Sequence, residues 1–326
     1  MRAIRVHELT GIGALRLEDV PSPAPGPGQL HVAVHAAGVN FADTLVVQGR
    51  YQHKAPLPFT PGMEAAGEVI AVGDGVTGFA PGDRVLAPMR IGAYAEEALI
   101  DAAHVAQMPD GMDYAAGAAF PIAYGTSHLA LTHRTTLHAG EVLLVLGAAG
   151  GVGLTAVEVG KALGATVVAC AGGPEKLAVA EAHGADHLID YRTEDIRDRV
   201  KALTGGADVV YDPVGGAAAA SALRCLNYEG RFITLGFASG EIPQFAANYL
   251  LVKNISAIGY SFSTYRFEQP DVMRRTLDEI CRWYMEGKLK PHISFTFPLA
   301  ETGAALQTLV DRKSTGKVIV AVREDA

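Results

Sequence analysis

Glu141-Val142-Leu143-Leu144-Val145-Leu146-Gly147-Ala148-Ala149-Gly150-Gly151-Val152-Gly153-Leu154 runs from an apolar strand through a glycine-rich turn into a helix-forming segment. The G-x-G-x-x-G spacing is met with Ala148 at its first position, Gly150 at its second and Gly153 at its third. Small residues let the backbone approach a pyrophosphate, and the following helix offers unpaired N–H groups and the positive end of its dipole to that charge. A tight turn with no ligand would need the same residues, so the surroundings decide.

Downstream, apolar β-branched runs alternate with helix-length segments, the pattern of βαβ units and a parallel sheet. Six strands are predicted: Val142–Leu146, Thr166–Cys170, His187–Asp190, Asp208–Asp212, Arg231–Leu235 and Ile255–Gly259. Helices are expected over Leu154–Leu163 and Pro174–Ala182, with Gly164 and Gly184 at their C-terminal ends. Six strands complete a doubly wound sheet, and the glycine turn opens it. That context favours a dinucleotide site over a bare turn.

The second strand discriminates between the two nicotinamide cofactors. An NAD site usually ends it with an acid that binds the ribose 2′-OH and repels a 2′-phosphate. Here it ends Cys170-Ala171-Gly172-Gly173, with no acid and with Lys176 just beyond. A charge-assisted hydrogen bond is worth about 1.5–3 kcal/mol, so an ammonium there favours NADPH. Glu175 argues mildly the other way, and Lys176 taken alone reads as a solvated helix residue, but the missing acid tips the reading to NADPH. Tyr191, ending the third strand, either stacks beside the adenine or caps the sheet. Cys170 reads as an inert buried thiol.

Upstream, the chain is written in short alternating runs, Gln29–His35 and Ala66–Gly73 among them, separated by turns such as Pro25-Gly26-Pro27-Gly28 and Pro81-Gly82-Asp83. A small, mostly antiparallel β domain is expected. After Gly259, a helix around Asp271–Met285 carries Met273, Leu277, Ile280 and Tyr284 on one face. A last helix and the strand Lys317–Val322 are expected to return to the β domain.

The 326 residues are 49% hydrophobic and 19% charged, which fits a globular chain of two domains. Lys and Arg number 27 against 35 Asp and Glu, a net charge of −8 that gives no general attraction for nucleic acid or anionic membrane. Three scattered cysteines offer neither a disulfide framework nor a zinc cluster. The 11 histidines show no metal-ligand spacing, and His31, His35 and His53 read as sheet or loop residues. The charged, alternating N-terminus lacks the apolar core of a signal peptide, and a cytoplasmic protein is expected.

Four stretches together resemble the zinc-independent, zeta-crystallin-like quinone oxidoreductases of the medium-chain dehydrogenase/reductase superfamily. They are Gly38-Val39-Asn40-Phe41-Ala42-Asp43, Pro61-Gly62-Met63-Glu64-Ala65-Ala66-Gly67, Gly78-Phe79-Ala80-Pro81-Gly82-Asp83-Arg84-Val85, and the Ala148–Gly153 turn. The resemblance implies a GroES-like catalytic domain over 1–123 and 261–326, interrupted by a Rossmann NADPH-binding domain over 124–260, with the cofactor in the cleft between them. It also implies homodimers through the Rossmann domains. Zinc-dependent relatives have a Cys near Asn40, a His where Met63 stands and a four-Cys lobe after about residue 90; none of these ligands is present, so no metal is expected.

The implied reaction is transfer of reducing equivalents from NADPH to a small electrophilic acceptor, a quinone. The resemblance puts Asn40, Asp43 and Tyr51 at the nicotinamide and acceptor, and Thr126 on the nicotinamide side. Tyr51 either donates a hydrogen bond to the reduced oxygen or only holds the cofactor, and Asn40 and Asp43 are equally good turn or N-cap residues. Tyr94 reads as packing. Cofactor contacts are implied at Ala148, Ala149, Gly150, Gly151, Val152, Gly172, Gly173, Lys176, Tyr191, Leu235, Gly236, Phe237, Tyr260, Ser261 and Phe262. Lys317 is a further candidate for the 2′-phosphate. The competing readings are a reductase of enoyl thioesters or other activated alkenes, and a non-catalytic NADPH-binding redox sensor.

Overall fold

The computed structural model describes residues 1–323. The chain divides into two compact units. One comprises Met1–Ile122, Arg266–Met285 and the chain from Pro291 on; the other comprises Ala123–Tyr265 and Glu286–Lys290.

The first unit is built on β1 (Arg2–Val6), β2 (Leu15–Asp19), β3 (Gln29–Val39), β4 (Glu64–Val72), β5 (Arg84–Pro88), β6 (Glu97–Asp101) and β7 (Ala106–Gln107). β1 and β2 form an antiparallel ribbon, while β3, β4, β5 and β7 lie side by side and β6 pairs with β3. β3 is longer than the alternating run Gln29–His35, because Ala36-Ala37-Gly38-Val39 carries it on with side chains small enough to be buried on both faces. His31 and His35 lie on it, and His53 in a loop.

The second unit holds the parallel sheet: β8 (Val142–Leu146), β9 (Thr166–Ala171), β10 (His187–Asp190), β11 (Ala207–Asp212), β12 (Leu226–Thr234) and β13 (Ser256–Gly259). Its order, β10-β9-β8-β11-β12-β13, is that of a doubly wound sheet, as the sequence pattern predicts. Leu144, Leu146, Val168, Val210 and Phe232 form its core with the flanking helices. β12 starts five residues before the predicted Arg231, pairing with β11 first at Leu226 and again from Arg231 on, with an irregularity between them that contains Glu229 at φ 59°. The helix after the glycine turn starts at Gly151, earlier than predicted, since an N-cap glycine needs no side chain.

The C-terminal strands β14 (Ile293–Pro298) and β15 (Lys317–Ala321) rejoin the first unit, β15 pairing antiparallel with β3 through Val318 opposite Val39. The helix Pro270–Met285 buries Met273, Leu277 and Ile280, with Tyr284 edge-on to Phe120. Among the described residues no helix is long and apolar enough to cross a membrane.

Candidate active site

In the parallel-sheet unit, β8 ends at a turn closed by Gly150 N–H donating to Gly147 O at 2.9 Å and by Ala148 N–H donating to Cys170 O at 3.0 Å. Gly147 has φ 62°, and a Cβ on Gly153 would stand 2.1 Å from Gly147 O. The turn therefore exists only because helix and strand backbones touch at Gly153. The helix Gly151–Ala162 carries no side-chain cap at its start, so its first N–H groups are available to an anion. Hydroxyls fix this helix from behind: Ser127 Oγ lies 2.8 Å from Thr155 Oγ1 and 2.9 Å from Tyr211 OH, and Thr155 donates to Ala123 O at 3.0 Å. Sequence reading missed this cluster, since no motif links the three hydroxyls.

β9 ends in Ala171, followed by Gly172 and Gly173 with no acid. Gly173 is required by its φ of 98°, and both glycines leave room for the side chains that cover them. A Cβ on Gly172 would meet Tyr191 OH at 2.6 Å, and one on Gly173 would meet an Arg192 guanidinium nitrogen at 2.1 Å. Arg192, absent from the sequence expectations, is aligned by Asp190, which accepts from it at 3.2 Å and from Gly173 N–H at 3.1 Å. Pairing with Arg192 holds the Asp190 carboxyl below its usual range. Lys176 sits on the first turn of the helix Pro174–Ala182, and Tyr191 is half exposed over Gly172.

The remaining positions of this unit follow later strands. Leu235, Gly236 and Phe237 come after β12, with Leu235 N–H donating to Asp212 O at 2.9 Å and the Phe237 ring exposed. Tyr260, after β13, is buried and donates to Thr126 O at 3.1 Å; the Phe262 ring lies against Gly125, and Ser261 is exposed. The glycine turn, Gly172, Gly173, Tyr191, Leu235–Phe237 and Tyr260 thus all stand past the carboxyl ends of parallel strands, where open α/β sheets bind ligands. Cys170 is a buried thiol pushed up to about 12 by desolvation, hence inert.

In the β unit, Asn40 and Asp43 open the short helix Phe41–Val46, and both belong to a buried polar network. Lys317 Nζ donates to Glu64 Oε1 at 2.7 Å, Asn40 Oδ1 at 2.8 Å and Val39 O at 3.0 Å. Those bonds occupy the ammonium in the interior, so Lys317 does not serve a cofactor phosphate. Glu64 also accepts from Asn40 Nδ2 at 2.8 Å and from Ile122 N–H at 2.7 Å. Asp43 Oδ2 accepts from Asn40 N–H and from the phenol of Tyr94, each at 2.9 Å, which makes Tyr94 more than packing. Tyr51 lies apart from this network, half-buried in the apolar cluster of Val46, Phe59 and Met63.

Desolvation raises the Asp43 carboxyl to about 7, against the pull of its two donors and of Lys317. A group whose folded pKa lies above its ordinary 3.8 adds stability that is fully present below that value and is lost as pH rises through about 7. Asp43→Asn is therefore expected to flatten the fall in stability between about pH 4 and 7. Urea titrations across this range, followed by the fluorescence of Trp283, the single tryptophan and a buried residue of the same unit, read the effect. An unchanged slope would assign the titration to another group.

Among the described residues no group of three or more His, Cys, Asp or Glu is placed to hold a metal ion. Residues 26–110 match the alcohol dehydrogenase GroES-like domain, and residues 151–279 match the zinc-binding dehydrogenase family. The chain is 41% identical over 303 residues to a quinone oxidoreductase-like protein 2 homolog of Nematostella vectensis, covering 92% of this chain and 83% of that one. It is 34% identical over 328 residues to human quinone oxidoreductase, covering 98% and 97%. It belongs to the quinone oxidoreductase family of the medium-chain dehydrogenases/reductases. The solved Escherichia coli quinone oxidoreductase in complex with NADPH superimposes with a TM-score of 0.91 at 30% identity, covering 98% of this chain and 100% of that one. In this quinone oxidoreductase family member, Gly38 and Gly67 of the β-unit motifs are packing devices. A Cβ on Gly38 would lie 2.4 Å from Glu64 Oε1, and one on Gly67 would lie 2.0 Å from Ala33 O.

Proposed function

We propose that this chain is an NADPH-dependent reductase whose acceptor is a quinone and whose chemistry needs no zinc. The observation that carries the cofactor choice is the end of β9: two glycines, no acid, and the Arg192 guanidinium over Gly173 with Lys176 on the next turn. A 2′-phosphate meets cations there, whereas the carboxylate beside Gly173, Asp190, is already engaged by Arg192 and by Gly173 N–H and not free for a 2′-OH. The uncovered helix start at Gly151 and the cradle around Gly150 fit the pyrophosphate. The Escherichia coli relative solved with NADPH supports the same choice.

NADPH supplies a hydride when bound. Thr126, held by Tyr260, and the turns Leu235–Phe237 and Ser261–Phe262 are read as supports for the nicotinamide end. Asn40 is fixed by Lys317 and Glu64, and Asp43 serves as a positioning residue behind it. Tyr51 is read as the hydrogen-bond donor to the acceptor oxygen. At the two positions where zinc-dependent relatives place a Cys and a His, this chain has a residue near Asn40 without a thiolate and the thioether of Met63, which suits an acceptor already electrophilic. Two copies are proposed to associate through the parallel-sheet unit, whose Tyr228, Ile242, Leu251 and Val252 are largely exposed.

Oxidation of NADPH by the purified protein, run against ortho-quinones, para-quinones, simple enones and an enoyl-CoA with NADH in parallel, tests the reading. Quinone turnover preferring NADPH by about tenfold or more is expected. Arg192→Ala should cut kcat/KM for NADPH by about tenfold while leaving that for NADH within about twofold. Faster turnover of the enone or enoyl-CoA would move the assignment to alkene reduction. NADPH binding without turnover would leave a cofactor-binding protein.

A further inference from the structure

Arg266 is only 4% exposed, and its Nε has no hydrogen-bond partner. Burial lowers its pKa to about 10; the charge of Arg90 adds to the effect and Tyr51 opposes it. Arg90 and Arg266 share one aromatic ring, their Cζ atoms lying 4.1 and 5.2 Å from the centroid of Phe267. The π face answers part of each charge, but two guanidiniums on one ring also repel each other. His104 donates no relief. One of its ring nitrogens lies 2.9 Å from Arg266 O, and burial, with both arginines contributing, holds it below its ordinary range.

Neither guanidinium makes an ion pair or hydrogen bond with a described residue. The carboxylate that does reach this neighbourhood, Asp101, stands 4.0 Å from His104 and accepts from Ala103 N–H at 3.0 Å. A guanidinium taken out of water without a counter-charge is costly, and proteins keep such an arrangement where an anion completes it. The surroundings are all from one unit: Tyr51 from the loop after the helix Phe41–Val46, Arg90 from the segment after β5, and Arg266 and Phe267 from the segment before Pro270. Arg90 is exposed and Phe267 is 39% exposed, so Arg90 and the ring open to solvent with the buried guanidinium of Arg266 next to them.

We propose that Arg266 and Arg90 form an oxyanion subsite for a carboxylate or phosphate-type group carried by the acceptor, whose planar body rests on Phe267. The planar fork of arginine matches such groups in two parallel hydrogen bonds, which a neutral quinone could not satisfy. The assignment to the acceptor rests on the reductase reading, which puts Tyr51 at the acceptor. The preference for an anion does not.

The test uses the full chain saturated with NADP+, so that the cofactor's own phosphates cannot compete. Calorimetric titration with 2-naphthoate and with its uncharged counterpart 2-naphthamide reads the anion preference. Naphthoate is expected to bind about tenfold more tightly, and both Arg266→Met and the exposed Arg90→Met should abolish that difference while leaving NADPH affinity unchanged. Arg266→Lys, which keeps the charge and loses the fork, should recover only part of it. Equal binding of the two probes to the wild type, or a preference that survives in both methionine variants, would overturn the subsite. A loss of NADPH affinity would hand it to the cofactor and overturn it likewise. The second arm compares 1,4-naphthoquinone with its 2-sulfonate: the ratio of their kcat/KM values should shift by about tenfold against the sulfonate in Arg90→Met, mainly through KM. An unchanged ratio would overturn the assignment to the acceptor. Should no quinone be reduced, the binding arm still decides the anion site, so failure of the reductase reading is told apart.

Discussion

Gly153→Ala is expected to cost the protein its NADPH affinity by about a hundredfold or more, whereas Gly150→Ala should separate folding from binding. At Gly153 the added methyl would stand 2.1 Å from Gly147 O, 2.7 Å from Gly147 C and 3.0 Å from Ala148 Cα, all backbone atoms of the turn itself. Nothing flexible can yield, so the helix start must move away from the strand end. That start is braced on its other side by Ser127, Thr155 and Tyr211, and the displacement therefore opens the turn instead of spreading into the unit. A misplacement of about 1 Å in a preorganised site is worth on the order of a hundredfold, and each tenfold in affinity is about 1.4 kcal/mol. Gly150 is different. Its Cβ would meet Gly147 O at 3.4 Å, close to ordinary contact, and its φ of −81° suits any residue. If a pyrophosphate approaches the backbone there, Gly150→Ala will keep the melting temperature and lose the cofactor. Titration of NADPH fluorescence beside thermal unfolding of both variants separates the cases. Wild-type affinity in both would remove the turn from the cofactor site.

The parallel sheet was legible because its grammar is local: β8 begins and ends where its apolar run does, since a strand buried on both faces cannot tolerate polar interruption. The glycine turn was legible for the same reason, as strand, turn and helix are contiguous. What lay beyond local grammar was partnership across the chain. Asp190 at a strand end and Arg192 just beyond it look like ordinary surface charges until Gly173 is seen to make room for a guanidinium. Lys317 shows the limit most plainly. A lysine beginning a C-terminal strand suggests a solvated cation reaching for phosphate, and only the antiparallel pairing of β15 with β3 reveals that its side chain points back to Val39 and Asn40. Glu64, which sits in a motif stretch, gave no sign by itself that its partner lay 253 positions away.

That pair sets the second large effect. Lys317 is buried and Glu64 has no exposed surface, so each satisfies a charge that water cannot reach. Lys317→Met would strip Glu64 Oε1 of its ammonium and leave Asn40 Oδ1 and Val39 O without their donor. Removing one member of a buried pair costs about 3–5 kcal/mol, because the survivor remains charged in a dry site. The loss should appear as a lowered urea midpoint in the fluorescence of Trp283, which belongs to the same unit. Lys317→Met combined with Glu64→Gln removes the stranded charge while the amide keeps an oxygen for Ile122 N–H, and it should recover a substantial part of the stability. Recovery of stability need not recover turnover. Asn40 takes its orientation from both charged partners, through Oδ1 on Lys317 and Nδ2 on Glu64, and in the double variant neither bond has its charge-assisted form. A double variant that is stable yet slow with every acceptor would mark Lys317 and Glu64 as positioning residues for Asn40. One that is stable and fully active would mark the network as scaffold alone, with Asn40 held by its place at the start of the helix.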